Sequence, residues 1–185
     1  MGVPVLLALW ANLHGGFAIG LILIALSLAG EGLEAALAVW AEAGRRRGVW
    51  FEKRRGLLRM ALVLAVSVAA VGLSPSGIEL LRYPLDTVSI GPLRALIDEW
   101  QSPDFHRIEV WPFLGLVLAV VALLAYSPRR PRAGELLQLS ALMVLAFMAR
   151  RNIALFALGA APVLGVHLWA VLAPVLAKWP ATRRQ

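Results

Sequence analysis

The sequence predicts an all-α, polytopic helical membrane protein, with about five transmembrane helices and one outer loop carrying short amphipathic helices. Three observations predict it. The 185 residues are 60% hydrophobic and only 16% charged, with a mean hydropathy of +0.76, whereas soluble domains are nearer half apolar and a quarter charged. The apolar residues come in long blocks, several of them long enough to cross ~30 Å of hydrocarbon at ~1.5 Å per residue. The basic residues gather beside those blocks, where they set topology.

The formal net charge is +7. In a soluble domain such a balance points to nucleic acid. Here the clusters flank apolar runs, so the bilayer and its anionic headgroups are the expected partners and nucleic acid is not. There is no cysteine, which excludes disulfides, thiolate metal sites and thiol nucleophiles. Arginine far exceeds lysine, and Ala, Leu and Gly abound. That composition points to a bacterial gene, and so to the bacterial cytoplasmic (inner) membrane.

The first expected span is Val3–Leu28. It has no basic leader and no cleavage signal, so a removable signal peptide is not expected. Asn12, Gly16 and Gly20 recur every four residues and share a face. Gly16 and Gly20 form a G-x-x-x-G that lets a neighbouring helix approach, with Asn12 as hydrogen-bonding glue. His14 is a further polar candidate, costly in lipid unless it faces protein or water. Glu31–Gly56 opens as a helical stretch and becomes a polybasic loop, GRRRGVWFEKRRG, with Trp50 and Phe51 suited to the headgroup zone. The second span is Leu57–Leu73, stopped by Gly72 and Ser74-Pro75.

The polar stretch 74–109 follows. The segment from Leu73 to Trp111 holds six of the eleven acidic residues, four prolines and His106. Leu93, Leu96, Ile97 and Trp100 fall at i, i+3, i+4 and i+7, which predicts a short helix from Pro92 to Trp100. Ile78–Tyr83 predicts another. The third span is Val110–Tyr126, followed by a tight basic loop with Arg129, Arg130 and Arg132. A fourth apolar run starts at Leu136 and meets Arg150-Arg151-Asn152. Residues 136–149 give only ~21 Å of helix, so the fourth span is extended to Leu158. Gly159 and Pro162 then make a turn before a fifth span, Val163–Ala177, which contains His167. A four-span arrangement that breaks at Arg150-Arg151 is the main competitor. Basic residues put 31–56, 127–134 and the C-terminal tail inside, and the N-terminus and 74–109 outside.

On this topology Arg150 lies fifteen residues after Glu135, ~22 Å along the helix, in the outer third of the membrane. An arginine there pairs, snorkels or faces a polar cavity, and the expected countercharges for Arg150 and Arg151 are Glu99, Asp98 or Asp104 of the outer loop. Arg150, Arg151 and Asn152 are therefore candidates to line a groove for a substrate or a lipid phosphate, because the guanidinium fork matches phosphate oxygens. Glu99, Asp104 and His106 on the outer loop are candidates for the same site, since carboxylates and a histidine can supply a general base. Their spacing is not diagnostic. No H-E-x-x-H, nucleophile elbow or phosphate loop is present. No catalytic residue is assigned, no metal site is expected and no cofactor is evident, although the outer carboxylates leave a divalent cation open.

Four segments, LLALWANLHGGFAIGL (6–21), LSPSGIELLRYPLDTV (73–88), LIDEWQSPDFH (96–106) and ARRNIALFALGAAPVL (149–164), resemble the C-terminal half of large bacterial multi-pass proteins grouped with GT-C-type, protein mannosyltransferase-like glycosyltransferases. Where that pattern has Asn-Pro-x-Gly, this sequence has Ser74-Pro75-Ser76-Gly77. The resemblance implies a polyprenyl-phosphate-linked sugar as donor, an extracytoplasmic active site, and a fragment of a larger protein. It also implies a key acidic residue on a first outer loop to which no position here corresponds. The functional expectation is the membrane-embedded C-terminal portion of such a glycosyltransferase. The alternatives are a non-catalytic membrane subunit or scaffold bound to other membrane helices, and a small-molecule transporter. The last lacks a visible inverted repeat.

Overall fold

A computed structural model describes residues 2–41, 46–83, 86 and 96–177, with the backbone alone at 46–49 and 52. Six α-helices and no strand occur among these residues. They are α1 (Gly2–Leu13), α2 (Phe17–Ala41), α3 (Arg46–Gly72), α4 (Trp111–Tyr126), α5 (Ala133–Met148) and α6 (Ile153–Leu176). Four helical stretches are long and apolar enough to cross a membrane: Phe17–Ala41, Lys53–Gly72, Ile108–Tyr126 and Arg150–Leu176. Whole apolar flanks of these helices are exposed, including Ile22, Leu62, Leu118, Leu158 and Leu172. Apolar faces of that extent mark surfaces covered by lipid rather than by water. The protein is an all-α, polytopic helical membrane protein.

The described residues form two compact units, Met1–Leu96 with Arg132–Gln138, and Ile97–Pro131 with Leu139–Gln185. In the first, the expected continuous span Val3–Leu28 is two helices. The break falls at His14-Gly15-Gly16, where the His14 ring accepts the Gly16 N–H at 2.9 Å through Nδ1 and ends α1. The chain doubles back there, since Leu7 and Trp10 lie against Gly20. Leu7, Ala11, Phe17 and Val71 form the core of this hairpin against α3, with Leu80 and Leu81 packed on it. Those two leucines come from a 3-10 turn, Gly77–Leu81. It begins at Gly77, whose φ of +58° suits a residue with no Cβ.

The expected loop 31–56 is also mostly helix, because α2 runs on to Ala41 and α3 begins at Arg46. Arg, Lys and Glu are good helix formers, so the charged stretch continues the apolar helix into the headgroup zone. Arg45, Lys178, Trp179 and most of the expected Pro92–Trp100 helix, Leu93 included, lie outside the described residues. Among the described residues Leu96 is helical, but the helix does not run on to Trp100. Ile97 is extended (φ −105°, ψ 107°), and Asp98–Trp100 is a separate 3-10 turn.

In the second unit, α4 begins within a residue of its expected start. Val110, Phe113, Val120, Leu139, Leu142, Ala146, Phe156 and Ala160 are buried there. The expected turn at Gly159–Pro162 is absent. Pro162 and Pro174 both lie inside α6, and Gly159 sits against Leu142. The break comes instead at Ala149–Asn152, the position of the four-span competitor. Ala149 is extended (φ −154°, ψ 130°) and Arg150–Asn152 form a 3-10 turn. The end of α5 is satisfied locally: the Leu145 carbonyl accepts the Ala149 N–H (3.1 Å) and the Asn152 Nδ2–H (2.9 Å). A helix finished in this way need not span ~30 Å.

Candidate functional site around the Ala149–Asn152 turn

The turn between α5 and α6 is built against the segment 97–113 of the same unit. The Arg150 N–H, freed from the helix ladder, donates to the Gln101 carbonyl at 3.0 Å. The Arg150 guanidinium forms an ion pair with Asp98. Its side chain is 23% exposed and that of Asp98 is 70% exposed, so the arginine is the inner partner. Arg151 points differently. It is exposed, and its guanidinium stacks over the Trp100 ring, 4.0 Å from the centroid. Among the described residues no carboxylate lies within ion-pair distance of it. Asn152 is half-buried and spends its amide on the Leu145 carbonyl, so it finishes a helix rather than facing a ligand.

Asp104, Phe105 and His106 lie on the next turn. The Phe105 ring packs against Phe113 and Phe147, each with a centroid 6.0 Å away, and Phe113 meets Phe156 edge-on at 5.9 Å. The Trp111 Nε1–H donates to the Phe105 carbonyl at 3.1 Å. These contacts hold the backbone on either side of Phe105. The Asp104 carboxylate accepts both the His106 N–H and the His106 Nδ1, each at 3.0 Å. The backbone bond, then the ring bond, hold its carboxyl below the usual carboxylate range. A carboxylate only accepts, so Nδ1 carries the proton and Nε2 of a neutral ring is left to solvent. The His106 side chain is 98% exposed. Glu99 is exposed on the Asp98–Trp100 turn. Beyond it, Arg107 and Glu109 pair at 2.5 Å.

The segment and the turn therefore bring Arg150 to Asp98 and Arg151 to Trp100, on either side of Glu99 in sequence, while Asp104 and His106 pair with each other and Asn152 with α5. Asn12 and His14 belong to the other unit and are committed locally, Asn12 to the Ala8 carbonyl (2.7 Å) and His14 to Gly16. The face of Gly16 and Gly20 is covered by Trp10 and Leu7 of α1, so it packs within the chain and is not open to a partner helix. Among the described residues no cluster of three metal-ligating side chains occurs.

No protein-family model matches the chain, and no curated protein or solved structure is significantly similar to it.

Three groups have no counterpart in the sequence-derived candidates. Trp100 supports Arg151, and its aromatic type on a polar segment was the available signal. In the first unit, Gln138 donates to the Ser27 hydroxyl (2.6 Å) and the Leu23 carbonyl (3.1 Å), and the Glu34 carboxylate accepts the Ala133 N–H (2.8 Å). Leu23, Ser27, Gly30 and Glu34 recur at i, i+4, i+7 and i+11, a helical stripe legible in the sequence. In the second unit, buried His167 bonds the Ser127 hydroxyl at 2.8 Å through Nδ1, a structural role at the C-terminal end of α4.

Proposed function

We propose that this chain is the membrane-embedded C-terminal portion of a GT-C-like glycosyltransferase of the bacterial inner membrane. It would take a polyprenyl-phosphate-linked sugar as donor, on the extracytoplasmic side. The turn at 149–152 receives the donor's phosphate. One observation carries this reading: the two adjacent arginines have different partners. Arg150 is neutralised by Asp98 and fixes the turn. Arg151 keeps an exposed guanidinium, oriented by the Trp100 ring, and its donors match phosphate oxygens. The site opens the N-terminal end of the 24-residue α6, whose dipole favours an anion. The resemblance to GT-C-type proteins supplies the chemistry. The acceptor oxygen bonds to the sugar's anomeric carbon, the bond to the lipid phosphate breaks, and the phosphate leaves carrying the electron pair. His106 and Glu99, on the segment packed against the turn, are the groups assigned to take the proton.

The test is binding of polyprenyl monophosphate to the full chain in nanodiscs. Arg151→Gln should weaken binding about tenfold or more, as expected for one charge-assisted contact of ~1.5–3 kcal/mol. Arg151→Lys should fall between, and Arg129→Gln should change nothing. Unchanged affinity in an inserted Arg151→Gln variant rejects the assignment.

A further inference from the structure

We infer that α3 carries a second lipid site, an exposed stripe for one anionic phospholipid of the surrounding leaflet. It is independent of the proposed glycosyl transfer. Helix α3 runs from Arg46 to Gly72 with six basic residues and one acidic, Glu52, all before its last three turns. Its buried side is marked by Ser67 and Val71. On the opposite side Phe51, Arg55, Leu58, Arg59, Leu62 and Val66 follow at i, i+4, i+7, i+8, i+11 and i+15, and all six are exposed. That is one continuous stripe along a 3.6-residue helix.

The order of chemistry along the stripe matches a phospholipid. Arg55 and Arg59 are one turn apart, so their side chains start ~6 Å from each other and can close on one phosphate. Among the described residues neither has an ion-pair partner. Beyond them Leu62 and Val66 continue ~10 Å along the axis, the direction in which an acyl chain runs. Phe51 lies on the other side of the arginines, at the level of the exposed Trp50, where aromatic rings suit the interface. A phosphate alone would use the arginines and leave the apolar part idle. A neutral phospholipid would leave the positive charge uncompensated. The complementary ligand is a phospholipid of net negative charge.

The experiment is lipid competition on the purified full chain in neutral detergent, read by native mass spectrometry. The probes are phosphatidylglycerol and phosphatidylcholine. The wild type should retain phosphatidylglycerol preferentially. R55Q/R59Q should lose that preference about thirtyfold, from roughly 1 kcal/mol per basic residue near a headgroup. R55K/R59K, which keeps the charge and the insertion signal, should lose only part of it. R129Q/R130Q removes two exposed arginines elsewhere and should lose nothing. Glycerol 3-phosphate, a headgroup without chains, should not displace the lipid. Equal retention by R55Q/R59Q overturns the site. So does an equal loss in R129Q/R130Q, which would mean unspecific charge, and so does displacement by glycerol 3-phosphate.

Discussion

Replacing Gly30 with alanine tests the close approach of α2 to the first turn of α5 in the first unit. A Cβ at Gly30 would run into the backbone of Gly134, at its N and Cα, with the Ala133 carbonyl carbon 3.0 Å away. Backbone cannot rotate aside as a side-chain tip can, so the strain has two outlets. If α2 and the first turn of α5 hold their places, overpacking costs about 1–3 kcal/mol. If they part by roughly an ångström, the three bonds across the crossing, at 2.6, 3.1 and 2.8 Å, stretch past the hydrogen-bonding range. At about 0.6 kcal/mol for each such bond in a membrane protein, that route costs about 2 kcal/mol. The two routes converge on a loss of roughly 2 kcal/mol. The control is Gly32→Ala two residues on, where an added Cβ meets nothing within 4 Å. It gains helix propensity and should be neutral or stabilising by up to about 1 kcal/mol. Both variants are compared with wild type by unfolding in mixed detergent micelles, followed by tryptophan fluorescence. Gly30→Ala as stable as Gly32→Ala would refute the crossing.

Gln138→Leu removes the polar link to α2 while Ser27 keeps its own bond to the Leu23 carbonyl at 2.8 Å. No hydroxyl is stranded, so the same unfolding assay should read a loss of only about 0.6–1.7 kcal/mol, smaller than for Gly30→Ala. Asp104 should titrate by NMR with a midpoint below its ordinary value of 3.8. Because its folded value is depressed, its contribution to stability is complete above 3.8 and is lost as pH falls through the lower, folded midpoint. Replacing His106 with Ala removes the ring bond but not the backbone bond, so the midpoint should rise part of the way; a midpoint that does not move would deny the link.

The sequence by itself determined the class of this protein and the polar character of the segment between its second and third apolar blocks. Long apolar blocks cannot fold in water, and a backbone in lipid must satisfy itself as helix. Spanning helices were therefore legible as a class and α4 almost to the residue, while the expected count of about five and the bounds of the first, fourth and fifth spans were not. The meeting of Arg150 with an acidic group of the polar stretch was legible for the same kind of reason: a guanidinium at that depth must find a countercharge. Asp98 was one of three carboxylates offered, with Glu99 and Asp104, and the sequence did not choose among them. Tertiary structure decided where helices stop. At His14-Gly15-Gly16 a side chain captures a backbone N–H and the chain folds back onto Trp10 and Leu7. At Ala149 the Arg150 N–H leaves the ladder for Gln101, forty-nine positions away in sequence, while Pro162, a stronger breaker by local rules, stays inside α6. Hydropathy measures how well a residue suits lipid. It is blind to what captures a backbone N–H, and it was the His14 ring at the end of α1 and the Gln101 carbonyl after α5 that did so, while Trp100 took Arg151.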